Sequence, residues 1–571
     1  MSNTEHFIPG KDAPLETSIS RLQGLLAARG FAVEERSWLN PVADCWSVHL
    51  YDRDCPMLFS NGKGGSRLAA LASALGEFIE RLSCNHYWTH YHLGEALAKH
   101  AFSVSPTERW FPIDGDEWPE GLLSAELRAF YNPDDSIPAS TLVEQNTGNA
   151  ERGICALPLV RQRDGETVWF PVNVIGNLYL SNGLAAGNTA PEARAQSLSE
   201  ILERYVKFRV LREGLCLPQI PPEVIARTPR IAAGIAELRA AGFGIRVSDA
   251  SLGGQFPVLV VTLLNPRDHG CYASFGAHPC FEVALERALT ELLQGRALDA
   301  LDGFPAPGFD LEEVADPQNL EIHFVDSSGV ISWNFFGEDP DFEFCDWNHS
   351  GSTREEFAWL VRCIEEAGHD IYIADFEHLG AYACRILVPG MSEVYPVEEL
   401  EWENSSRGNA IRPALARLPE LGEEECAALL DTLDELEFAD ERLVSEVIGL
   451  APDADSPWAS LRIGELKTLL ALRQGDNEAA ADGSAWVAQF GQIAEARSCV
   501  YRALEALLRL PEAGRFDVTI AVLYGFEALA KARALIAGED PFFGLGALGP
   551  NFEASAKHQA LLAEYRKLWQ I

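Results

Sequence analysis

The chain has 571 residues, 47% of them hydrophobic, and its 85 Asp and Glu against 45 Lys and Arg give a formal charge of −40. That length supplies core for several domains, and that charge repels phosphate backbones and anionic headgroups, which argues against general nucleic-acid binding. The opening MSNTEHFIPGKD has neither a basic n-region nor an apolar core, and no stretch approaches the roughly 18 apolar residues of a spanning helix, so a cytoplasmic protein without membrane association is expected.

In chain order, CWSVHLYDRDCPMLFS alternates β-branched and aromatic residues with polar ones and reads as a strand pair. The Gly-containing NGKG at 61–64 follows, as a turn entering the Ala-rich helix ALASALGEFIER. NHYWTHYH brings His86, His90 and His92 close together; the spacing and aromatic surroundings favour core packing over a transition-metal site. TVWFPVNVIGNLYLS reads as a second strand pair, followed by a second Gly-containing loop at 183–187 and EARAQSLSEILER. Gly64, Glu77, Glu80 and Arg81 recur as Gly187, Glu200, Glu203 and Arg204, each 123 residues later. A third, weaker copy follows the strands of PVLVVTLLNPRDHGCYASF. There Ala284, Arg287, Glu291 and Gln294 match Ala70, Ser73, Glu77 and Glu80. HDIYIADF and GAYACRILVPG form a fourth strand pair without an acidic helix. The fold expected over 1–405 is a mixed α/β (α+β) core of repeated strand–strand–helix units. From about residue 406 to 571, Leu, Ala and Glu recur at helical spacing, which predicts an all-α domain. Its helix–RQGDN–helix segment resembles a tetratricopeptide-like pair, expected to dock a partner, cover the core or make a homodimer contact.

A single E-x-x-E-R is an ordinary solvated helix face; two registered copies and a degenerate third are not. Residues i, i+4 and i+7 share a helix face, so Ser73, Glu77 and Glu80 align, as do Gln196, Glu200 and Glu203, and Arg287, Glu291 and Gln294. With the helices side by side, five carboxylates meet: Glu77, Glu80, Glu200, Glu203 and Glu291. So many like charges require a cation, and hard oxygen ligands select Mg²⁺ or Ca²⁺. Magnesium held by few carboxylates brings phosphates, for which Lys11, Arg21, Arg204 and Arg287 supply positive charge. A nucleotide site follows, with the two Gly-containing loops offering backbone N–H groups at helix N-termini. Ser18 and Ser73 have no neighbouring base, so no Ser–His nucleophile is indicated. The twelve scattered cysteines, without a C-x-x-C pair, read as reduced thiols.

Through FIPGKD, NGKG with S-x-x-x-E-x-x-E-R, the second E-x-x-E-R, the A-x-x-R-x-x-x-E-x-x-Q helix and RILVPGM, the sequence resembles the YcaO family over roughly residues 5–405. It is most similar to bacterial members with a helical C-terminal extension. The resemblance implies ATP with Mg²⁺ as cofactors. It places Glu77, Glu80, Glu200, Glu203 and Glu291 as metal ligands, and Lys11, Ser18, Ser73, Asn188, Glu192, Gln196, Arg204, Arg287 and Gln294 against nucleotide; it leaves catalytic residues unassigned. It implies an accessory role in β-methylthiolation of an aspartate in ribosomal protein S12, beside a radical-SAM methylthiotransferase; separately, the helical region leads to the expectation of a homo-oligomer, a dimer. Two alternatives stay open: an ATP-dependent enzyme activating backbone amides of another peptide, to azoline or thioamide, and a non-catalytic nucleotide-sensing adaptor. Azoline-forming relatives often end in a proline-rich tail, and this chain ends EYRKLWQI, which weighs against cyclodehydration.

Overall fold

A computed structural model describes residues 5–94, 97, 99–146, 151–490 and 493–570. The first unit comprises α1 (Leu15–Ala28), the antiparallel strands β1 (Val33–Val42), β2 (Cys45–Asp52) and β3 (Phe59–Gly64), and α2 (Arg67–Ser83). The middle of the chain contributes β4 (Arg109–Phe111), β5 (Ile154–Arg161), β6 (Thr167–Pro171), β7 (Leu184–Gly187) and the long α3 (Ala190–Glu213). A third unit follows, with α4 (Pro229–Ala240), strands β8 (Gly244–Asp249), β9 (Val258–Leu264) and β10 (Cys271–Ala277), and α5 (Phe281–Leu293). After α6 (Thr353–Glu366), the hairpin β11 (Tyr372–Phe376) and β12 (Tyr382–Leu387) completes a six-stranded sheet ordered β4-β5-β11-β12-β7, with β6 paired to β5.

Two local expectations are corrected. NGKG and the Gly-containing segment ending at Gly187 are not turns but the ends of β3 and β7. The helices begin just beyond them, capped by Ser66 and Thr189, whose side chains accept from the N–H groups of Ala69 and Glu192. Strand glycine has a packing reason here. A Cβ on Gly62 would lie 2.0 Å from the Ala70 carbonyl oxygen, one on Gly276 would lie 2.3 Å from that of Ala284, and one on Gly187 would lie 2.8 Å from the Ala193 nitrogen. Glycine on the strand and alanine on the helix let the two backbones approach.

The expected strand pair over TVWFPVNVIGNLYLS is also only half formed. Strand β6 ends at Pro171 and residues 172–179 turn helical despite their valines, isoleucine and tyrosine. Burial overrides propensity: Val174, Leu178 and Tyr179 sink fully into the core, while Asn173 and Asn404 exchange hydrogen bonds of 2.9 and 2.8 Å. The partner of β7 is consequently β12, from the far end of the core.

Nor do the three acidic helices pack chiefly side by side. Each lies on its own sheet and also against a strand of the next: α2 against β7, α3 against β10, and α5 against β2 and β3. The units close into a ring, and the acidic faces turn toward its middle.

Beyond residue 411, α7 (Glu423–Glu435), α8 (Ile463–Arg473), α9 (Asn477–Gln489), α10 (Glu495–Arg509), α11 (Asp517–Tyr524) and α12 (Phe526–Ala537) build a separate apolar cluster. The RQGDN segment is the tight connection between α8 and α9, with Gly475 at φ +76° and the Asp476 side chain accepting from the Ala479 N–H at the start of α9. The last helix, α13 (Ala556–Trp569), leaves that cluster and packs on the first unit through Leu561, Leu562, Tyr565 and Leu568. His92 belongs to this contact: its carbonyl oxygen lies 2.9 Å from His558 Nε2. No described helix is long and apolar enough to cross a membrane.

Candidate functional site

The ring encloses a cavity of about 980 Å³, lined by all fourteen residues placed against metal or nucleotide by the family resemblance and by Arg21, whose guanidinium donates to the Gly380 carbonyl at 2.8 Å. The fourteen fall into two groups. At one end, the N-terminal segment meets the start of α3. Lys11 Nζ lies 3.5 Å from Glu192, the Asp12 N–H donates to Glu192 at 2.9 Å, Asn188 Nδ2 donates to Glu192 at 3.0 Å, and the Ser18 hydroxyl donates to Asn188 Oδ1 at 2.9 Å. Asp12 fastens the segment by accepting hydrogen bonds from the hydroxyls of Thr189 and Thr353.

At the other end stand the five glutamates, each on a helix whose register was readable in advance. Four are matched by cations. Glu77 pairs with Arg81, Glu200 with Arg204 at 2.6 Å, Glu203 with Arg287 at 3.3 Å, and Glu291 with Lys63. Glu77 also accepts from the Asn61 N–H at 3.3 Å, and Glu203 from the Ala277 N–H at 3.2 Å. Glu80 has no ion pair among the described residues. Burial, reinforced by the charges of Glu200 and Glu77, holds its carboxyl well above the ordinary carboxylate range. Ser73 and Gln196 line the same wall. Gln294 departs from its expected place on the helix face: α5 ends at Leu293, and the Gln294 side chain donates to the Asn61 carbonyl at 2.9 Å. The following Gly295, at φ +72°, ends the helix there.

Lys63, Arg81, Lys207 and Glu286 also line the cavity and were given no role from the sequence. Lys207 had a signal, since it lies one turn beyond Glu203 on the Gln196–Glu200–Glu203 face. It is buried, donates to the His323 carbonyl at 2.7 Å and the Ser327 hydroxyl at 3.1 Å, and burial pushes its ammonium down to about 8. Lys63 was masked by reading NGKG as a phosphate-cradling loop, a role the strand conformation of 59–64 does not support. His86, His90 and His92 do not line the cavity. The donor set is thus hard oxygen; among the described residues one carboxyl, Glu80, makes no ion pair, and the buried Nε atoms of Arg81 and Arg287 have no hydrogen-bond partner. These residues fit a divalent cation carrying a polyphosphate.

Fold and donor set together define a mixed α/β protein with a ring-enclosed site suited to metal and phosphate. The family model for YcaO cyclodehydratase, ATP- and Mg²⁺-binding, matches residues 61–392, and that for the YcaO cyclodehydratase C-terminal domain matches 408–571. The chain belongs to the YcaO family. It is 50% identical over 575 residues to the "Ribosomal protein S12 methylthiotransferase accessory factor YcaO" of Escherichia coli, covering 99% of this chain and 98% of that one. It is 46% identical over 573 residues to an uncharacterized protein of Haemophilus influenzae, covering 98% of each. The structure of YcaO from Methanopyrus kandleri bound with AMPPCP and Mg²⁺ is 19% identical, with a TM-score of 0.44 over 70% of this chain and 96% of that one.

Proposed function

We propose that this chain is an ATP- and Mg²⁺-binding accessory factor for β-methylthiolation of an aspartate in ribosomal protein S12, acting in the cytoplasm with a radical-SAM methylthiotransferase. The similarity to the Escherichia coli accessory factor along both chains supports the reading. The observation that carries it is the convergence of fourteen sequence-chosen residues on one cavity. Residues 1–405 form the nucleotide-binding core. Glu77, Glu80, Glu200, Glu203 and Glu291 hold magnesium, and Lys11, Ser18, Ser73, Asn188, Glu192, Gln196, Arg204, Arg287 and Gln294 hold the nucleotide. Bound Mg·ATP supplies a transferable phosphoryl group. The arginines supply positive charge toward it, and the glutamates fix the ion. Residues 406–571, with their tetratricopeptide-like pair, dock a partner or a second copy in a homodimer.

Isothermal titration tests the site: Glu200→Gln and Glu203→Gln are each expected to weaken Mg·ATP binding at least about tenfold while melting as cooperatively as the wild type. Unchanged affinity in both variants overturns the assignment. Mass spectrometry of the ribosomal protein from cells lacking this chain tests the role.

A further inference from the structure

Lys63 stands on β3 between Gly62 and Gly64. Both glycines face α2, where a Cβ on Gly62 would lie 2.0 Å from the Ala70 carbonyl oxygen and one on Gly64 would lie 2.7 Å from Ala69 Cβ. Strand alternation turns Asn61 and Lys63 the other way, and both line the cavity. The Lys63 ammonium pairs with Glu291 on α5; burial and the nearby Arg287 push it down to about 8, against the charges of Glu203, Glu77 and Glu200, which favour it. Its surroundings are therefore four of the five carboxylates assigned to the metal, with Arg287 on the Glu203 side. Two neighbouring cations are anchored elsewhere. Arg81 donates to the Phe59 carbonyl at 3.2 Å, and Arg204 donates to Asn182 Oδ1 at 3.1 Å and stacks 4.5 Å from the Phe324 ring. Lys63 has Glu291 as its one ion-pair partner among the described residues, at the end of a flexible four-carbon stem.

We propose that Lys63 is an internal competitor of the divalent cation: a resident ammonium held by the metal's own carboxylates, which the incoming ion must displace. This rests on the metal-site reading above. Glu77, Glu200 and Glu203 also have arginine partners, so removing the Lys63 charge leaves Glu291 as a second carboxylate outside any ion pair, beside Glu80, and strengthens the pull on free Mg²⁺ or Ca²⁺. Neutralising the cage from within lowers affinity for the bare ion and makes metal binding conditional on the polyphosphate, whose negative charge the displaced ammonium is then available to meet. NGKG is accordingly a two-sided motif, with glycines for the helix and lysine for the site.

The test is titration of the full-length protein with MgCl₂ alone and then with Mg·ATP, followed by calorimetry and by the metal-induced shift in melting temperature. Lys63→Met is expected to bind Mg²⁺ alone about tenfold more tightly than the wild type and to show a larger melting shift, while losing stability without metal. Lys63→Arg, which keeps the charge, is expected to behave like the wild type, and Lys63→Gln replaces Lys63→Met should the latter not fold. Unchanged or weaker affinity for Mg²⁺ alone in the neutral variants, with Mg·ATP binding weakened, makes Lys63 a plain phosphate ligand and overturns the proposal. Failure of wild type and variants alike to bind Mg²⁺ or Mg·ATP overturns the site assignment and this inference with it.

Discussion

Glu80 is the residue at which the site's electrostatics are least balanced. Its carboxyl is raised by burial and then by Glu200 and Glu77, so a divalent ion must expel a proton from it to use both oxygens. Affinity for Mg²⁺ should therefore rise with pH above the ordinary carboxylate range, with release of about one proton per ion bound. Calorimetry in two buffers of different ionisation enthalpy measures that number; no proton released, and no pH dependence for Glu80→Gln to abolish, would contradict it. Glu356 offers a matching test of stability. It is 3% exposed, and burial, then the nearby charge of Asp12, pushes it up to about 7 against the lowering effect of Lys11. A carboxyl raised in the folded state favours folding below its unfolded value and loses that advantage as pH rises through the folded one. Glu356→Gln is thus expected to raise the melting temperature at pH 8 and to leave it unchanged near pH 4. Both residues were visible in the sequence, Glu80 as part of a motif and Glu356 as one acid among many. Only Glu80's i+3 spacing from Glu77 distinguished it there.

At the scale of elements, the helices were legible because their acidic and apolar residues recur at helical spacing, and α2, α3 and α5 all form where expected. The strand glycines were not, because a glycine in a turn and one beneath a helix look alike until the helix is placed. Substitution separates the two cases. Gly62→Ala or Gly276→Ala drives a methyl into the backbone of the covering helix and should cost at least about 3 kcal/mol in denaturant unfolding. Gly24→Ala, on α1 with nothing within 4 Å of the added methyl, should stabilise by about 0.5–1 kcal/mol. Equal effects at these positions would refute the close strand–helix approach. The helical stretch at 172–179 departs from the expected strand for a related reason, since β-branched residues report burial as much as strand conformation.

Over the whole molecule, α13 ties the two ends of the chain together. Leu561, Leu562, Tyr565 and Leu568 are all at most 1% exposed on the first unit, Trp88 Nε1 donates to the Leu561 carbonyl at 2.9 Å, and the Tyr565 hydroxyl donates to the Ser103 carbonyl at 2.5 Å. Burying four such side chains is worth on the order of 10 kcal/mol, comparable to the entire stability of a typical domain. A chain ending at residue 554 should therefore fail to give a cooperative melt and should not bind Mg·ATP, which expression and calorimetry check directly; retention of both would show that the first unit stands alone. The sequence by itself determined the repeats, the acidic helix faces and the change to helices near residue 406, because these depend on local periodicity and on a register kept through duplication. The tertiary structure alone decided that the units close into a ring, that β7 pairs with β12, that Lys63 sits among the glutamates and that α13 returns to the first unit. Each of those joins residues far apart in the chain, through contacts whose energy depends on shape and burial and leaves no periodic trace along it.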